Sequence, residues 1–86
     1  MKSTYDDEAD AAYLYLRDGI PVDHSVAVDE HRTVDVAADG TVVGIEIIGA
    51  SAGVPLLDLV ERFDLHQFLP HLRRAEETKY VALETA

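Results

Sequence analysis

Four acids fall within five positions near the start of the chain, Asp6, Asp7, Glu8 and Asp10, and oxygen donors so gathered are what a Ca²⁺ or Mg²⁺ ion takes as ligands. The spacing lacks the glycine of a calcium-binding loop and has no later bidentate acid at the expected offset. The favoured reading is a turn in which Asp6 accepts backbone N–H bonds while the other acids stay in water. Glu46 stands inside the apolar run "VVGIEII", where an ionised carboxylate is costly unless paired or wet. Together with Asp10 or a nearby tyrosine it would supply a general acid and base; the simpler reading has it facing water or pairing across a sheet. Ser51 sits among small residues in "GASAG" but outside a G-x-S-x-G pattern, and its hydroxyl is read as a cap before a helix. His24, His31, His66 and His71 do not share a face at ligand spacing, and there is no cysteine, so a zinc site is not expected. No phosphate-binding or dinucleotide loop is present. No catalytic residue, metal or cofactor is therefore assigned. Asp10, Tyr13, Glu46 and Ser51 are the candidate contacts to a ligand or partner.

The bulk properties narrow the partners. Seventeen acidic against seven basic residues give a formal charge of −10. Ten of the acids lie in the first forty residues, with only Lys2, Arg17 and Arg32 to offset them. That end repels nucleic-acid phosphates, and the Arg62, Arg73 and Arg74 cluster is diluted by Glu61, Glu76 and Glu77, so no nucleic acid is expected as partner. No apolar run approaches a membrane span, and the opening lacks the charged and apolar regions of a signal peptide, so a soluble, cytoplasmic protein without membrane contact is expected. Eighty-six residues make one domain, with a strand-rich part over 2–51 and a helical part over 54–78.

These residues need elements to hold them. "KSTY" is short enough for an edge strand, and "AAYLYLRD" alternates Tyr13 and Tyr15 against Leu14 and Leu16, which favours a strand over a helix begun by the acids. "DHSVAVDE" and "TVDVA" alternate likewise, with a turn at "DEHR", and Asp39-Gly40 marks a hairpin. "VVGIEII" is apolar on both faces apart from Gly44 and Glu46, so it should be central or covered on both sides. Beyond "GASAG" the apolar period lengthens. Leu56, Leu59, Val60 and Phe63 form a helical stripe, Asp64 is placed to cap the next segment, and Pro70 to break or kink it. "TKYVALETA" fits either a last helical turn or a short strand. The fold class is α+β, an antiparallel β-meander of four to five strands in sequence order with C-terminal helical segments packed on one face.

With these elements in place, "YDDEADAAYLYL" followed by "DGTVVGIEIIGAS" resembles the prokaryotic family of domain of unknown function 2283. The shared positions are Tyr5, Asp6, Glu8 to Ala11, Tyr13, Gly44 to Glu46, Ala50 and Ser51, over residues 2 to 51. Ala12 departs from the leucine more usual there, and the tail from Val54 lies outside the resemblance. It implies a fold and no settled activity. Some members resemble partners of small toxin-like proteins by gene setting, which implies an antitoxin-like role.

Residues and charge lead to two functional expectations. One is a non-enzymatic interaction or regulatory module, an acidic partner of a small basic protein; the alternative is a small ligand-binding or acid/base enzyme domain using Glu46. A homodimer is also expected. With Leu14, Leu16, Val26, Val28, Val34 and Val36 under the helices, the opposite face carries Tyr13, Tyr15, Ala27 and half of the last strand, apolar surface that a twofold pairing would bury. The competing reading has the segment from Lys79 folding back over that face.

Overall fold

Strand alternation sorts most side chains of the sheet into a dry face and a wet face, and the helical tail lies on the dry one. The structure, a computed structural model, describes residues 2–78 and 80–84. Five strands, β1 (Lys2–Asp6), β2 (Ala11–Tyr15), β3 (His24–Ala27), β4 (Arg32–Val36) and β5 (Val42–Ile48), precede a 3₁₀ turn (Ala50–Ala52), α1 (Leu57–Arg62), a second 3₁₀ turn (His66–Phe68) and α2 (Leu69–Ala75). They form one wholly antiparallel sheet with helical pieces near the C-terminus, an α+β fold.

The strands are not in sequence order. The order is β1-β2-β5-β4-β3, so the β1–β2 hairpin and the β3–β4–β5 meander join along β2 and β5. A meander in sequence order would leave β5 at an edge. Its residues Val42 to Ile45 and Ile47 are buried, which only a central position provides. Register then follows from the pleat: Ala12 faces Ile47 and Leu14 faces Ile45 across β2 and β5, and Val34 faces Ile45 across β4 and β5. A bulge between Asp35 and Val36 lets both Val42 and Val43 be buried.

Leu14, Val34 and Ile45 meet Leu56, Leu59, Val60, Leu65 and Leu72 in one apolar core. Burying each such side chain contributes about 1.5–3 kcal/mol. Two readings of the tail change. Asp64 does not cap the segment after it: it adopts a left-handed φ of 54° and closes α1, with Leu65 N donating to Val60 O at 2.8 Å in a Schellman arrangement. Pro70 opens α2 instead of breaking it, because its missing N–H belongs to the unbonded first turn.

The C-terminal segment returns to the dry side. Val81 and Leu83 are buried in the core, Ala82 bridges to Pro55, and Tyr80 stacks on Tyr5 with centroids 4.8 Å apart. The described part of this segment therefore does not cover the Tyr13 face; Lys79, Thr85 and Ala86 lie outside the described residues. No helix among the described residues is long and apolar enough to cross a membrane.

One ion-pair group ties sheet to helices. Arg32 donates to Asp29 Oδ2 through Nε (3.0 Å) and Nη2 (2.9 Å), to Asp58 at the start of α1, and to Pro55 O at 2.9 Å. The guanidinium is mostly buried, so these bonds satisfy it. Hydrogen bonds from Arg32 hold the carboxyls of both Asp29 and Asp58 below the ordinary aspartate range. A depressed folded pKa contributes stability that is present above the unfolded value, about 3.9, and lost as pH falls through the folded one. Denaturant melts from pH 6 downward should show stability falling below about pH 4. Arg32→Met should be about 1–2 kcal/mol less stable at neutral pH and flatter across that window; an unchanged acid slope would remove Arg32 as its cause.

Candidate functional site

The candidate residues gather at two places. At one end of the sheet, the acids of the β1–β2 connection do not act alike. Asp6 Oδ1 accepts from Glu8 N at 3.0 Å and Ala9 N at 3.4 Å, forming the expected turn, while Asp7 and Glu8 are exposed. Asp10 takes a left-handed φ of 49° and turns its carboxylate the other way. It accepts from Tyr5 Oη at 2.7 Å, from Ser51 N at 3.0 Å and from Ser51 Oγ at 2.7 Å. Its main-chain oxygen accepts from Gly49 N and Ala50 N. Ser51 is thus not a helix cap: α1 has no side-chain cap, and the hydroxyl clasps the turn after β5 to the turn after β1. The bond to Asp10 also raises the Tyr5 phenol above its ordinary pKa. Among the described residues no three of His, Asp and Glu converge as metal ligands would.

The second place is the uncovered face of the sheet. Tyr13 pairs with Glu46 across β2 and β5, but its ring runs on over Gly44 to donate to Asp35 Oδ2 at 2.5 Å on β4. Asp35 Oδ1 accepts from Ser25 Oγ of β3 at 2.6 Å, so one chain of contacts spans four strands. Burial and then the bond to the Asp35 carboxylate raise the Tyr13 phenol far above its ordinary pKa, keeping it a neutral donor. Tyr15 packs against Tyr13 with centroids 4.5 Å apart, and Lys2 Nζ lies 5.3 Å from the Tyr15 ring centre. Glu46 is exposed beside them and, among the described residues, makes no hydrogen bond or ion pair. It lines neither of the clefts beside the Asp18 to Asp23 loop. Asp10 and Glu46 thus belong to separate networks, and the acid and base pair imagined for them is not assembled.

The face is less apolar than the sequence led one to expect. Ile45 and Ile47 go to the core, leaving Tyr15 and Ile48 as its exposed large apolar side chains, among Thr33, Asp35 and Glu46. Sequence reasoning also missed Gly44 and Asp35. The signal for Gly44 was a glycine inside an otherwise apolar strand, which often marks close approach of another group.

At the edge of this face the backbone bends sharply. Leu16 N and Arg17 N both donate to Val43 O, at 2.9 and 3.1 Å, and Arg17 lays its guanidinium over Phe68, 5.4 Å from the ring centre. The loop so released, Asp18 to Asp23, turns at Gly19 (φ 73°) and is fixed again where Asp23 N donates to Val36 O. It leaves a cleft on each side. One, of about 410 Å³, lies against Tyr13, Tyr15 and Val43; the other, of about 340 Å³, lies against Ala37, Ala38 and Asp39.

A Cβ on Gly44 would fall 2.3 Å from Tyr13 Oη. Gly44→Ala should therefore destabilise the fold by roughly 1–3 kcal/mol, and by much less in a Tyr13→Ala background. Equal costs in the two backgrounds, measured by urea melts, would show that the ring does not need that space.

A family model described as protein of unknown function (DUF2283) matches residues 2–51. No curated protein and no solved structure matches. The matched residues hold all five strands and end at Ser51, the partner of Asp10.

Proposed function

The chain belongs to the DUF2283 family, and on that premise we propose that it is a non-enzymatic interaction module, an antitoxin-like partner that receives a small basic protein on the uncovered face of its sheet. One observation carries this reading: the helices and the described C-terminal segment all lie on one side, leaving tyrosines and carboxylates together on the other. Aromatic rings with two rotatable torsions give contact area at low entropic cost, and rings are favoured at interface centres. Exposed Glu46 and the charge of −10 steer a cationic surface toward it. Lys2 over Tyr15 is an example, within this chain, of the contact a partner's lysine or arginine would make.

A second copy is a poorer occupant than the sequence implied. In a twofold pairing the same patch meets itself, bringing Glu46 and its acidic neighbours near their own images, and the apolar area that would offset this is small. Light scattering at tens of micromolar should therefore return a monomer mass of 9.5 kDa. A dimer that Glu46→Lys disrupts would assign the face to self-association instead.

The tagged protein should capture, from lysate of its own host, a stoichiometric protein of high isoelectric point. Capture should weaken with salt, and should drop by roughly tenfold or more in Glu46→Lys with Tyr15→Ala, both exposed positions. Recovery of no basic protein, or of one indifferent to both changes, would sink the proposal.

A further inference from the structure

We infer that the loop from Asp18 to Asp23 is the anchoring ridge of the docking surface, and that it takes an amphipathic, lysine- or arginine-bearing segment of the partner protein. The inference rests on the interaction reading above and gives that surface its centre.

The loop presents two of the four exposed large apolar side chains among the described residues, Val22 at 47% and Ile20 at 40%, on either side of Pro21. These residues do not cover a core. They form the shared wall of the two clefts, one reaching toward Tyr13 and Tyr15, the other toward Ala37 and Ala38. The ridge is anchored at both ends, its start on the Val43 carbonyl and its end on the Val36 carbonyl, which reduces the cost of ordering it on binding. A pair of shallow clefts beside fixed aliphatic groups is the shape into which apolar side chains at helical spacing insert.

Charge selects the occupant. Asp18 stands at the rim of one cleft, Asp23 and Asp39 at the rim of the other. The Thr41 hydroxyl and amide hold the Asp39 carboxyl below its ordinary range, so it stays ionised. Arg17, its guanidinium over Phe68, also lines the cleft of Asp18, so the anionic rim belongs to the cleft of Asp23 and Asp39. An apolar centre with an anionic rim discriminates against acidic or neutral amphipaths and against a second copy of this acidic chain, while a basic amphipath satisfies both parts at once.

The test is an amide NMR titration of the full chain with three probes: a helical leucine–lysine amphipath, its leucine–glutamate counterpart, and a lysine peptide without leucine. The leucine–lysine peptide should give saturable shifts at Gly19, Ile20, Val22, Ala38 and Asp39. The leucine–glutamate peptide should give none, and the leucine-free peptide should bind roughly tenfold or more weakly. Ile20→Ser with Val22→Ser should weaken the first by a similar factor; both side chains are exposed, so the variant's unchanged spectrum elsewhere verifies its fold. Shifts confined to Thr33 and Glu46, or affinity unaltered in the double variant, overturn the ridge while leaving the wider face as the docking surface. Absence of any saturable shift in a protein that still captures its basic partner overturns the ridge alone. Loss of that capture from host lysate is the result that removes the wider reading.

Discussion

Tyr13 can lie across the sheet only because Gly44 has no side chain, and the organisation of the uncovered face depends on that. The ring occupies the space above the central strand, which lets a β2 residue reach Asp35 on β4 and, through it, Ser25 on β3. Without the glycine the ring could not take that path, and Asp35 would keep only Ser25 as a donor. A central strand usually needs cover on both faces. Here the helices cover one face of β5 and a single aromatic ring covers the middle of the other, so the sheet stays two layers thick and keeps a face in contact with water.

The dry side is held by different means. The core is aliphatic, and polar ties close its margins: Arg32 joins the β3–β4 turn to the start of α1, and Asp10 joins the β1–β2 turn to the turn after β5. Both ties connect segments far apart in sequence, 26 residues for Arg32 and Asp58 and 41 for Asp10 and Ser51. Each fixes one end of a strand set whose register the pleat alone would specify less firmly. Tyr5 belongs to both systems, donating to Asp10 while stacking on Tyr80 of the returning C-terminal segment.

Strand positions were legible because alternation is a local signal: β5 falls on the "VVGIEII" run itself, and the Asp6 turn was readable from an aspartate preceding two free amides. Strand order was not, since it depends on which hairpins find each other, although the unbroken apolarity of β5 already argued for a central place. Asp64 and Pro70 were misread because a cap and a terminator use the same residue types, and only backbone geometry separates a left-handed closing aspartate from an opening one. Of the candidate residues, Asp10 and Ser51 proved to be bonded to each other, and Tyr13 and Glu46 to be register partners. The Asp10 contact required a left-handed turn, and the Tyr13 path a diagonal reach over glycine. Neither leaves a trace in periodicity.

The way polar groups are used bears on what the surface has left to offer. The Tyr13, Ser25, Ser51 and Tyr5 hydroxyls all donate to carboxylates, and those carboxylates, Asp35 and Asp10, are in turn engaged by two or more donors. Each hydroxyl commits its single hydrogen to a carboxylate that ties separate segments of the chain together, a charge-assisted bond worth about 1.5–3 kcal/mol, so these networks serve the sheet itself. On the uncovered face and beside it, the groups left over from holding the sheet together include an exposed acid, Glu46, the exposed Tyr15 ring and the aliphatic loop of Ile20 and Val22. They offer charge, shape and desolvation, which are the terms by which one protein surface recognises another.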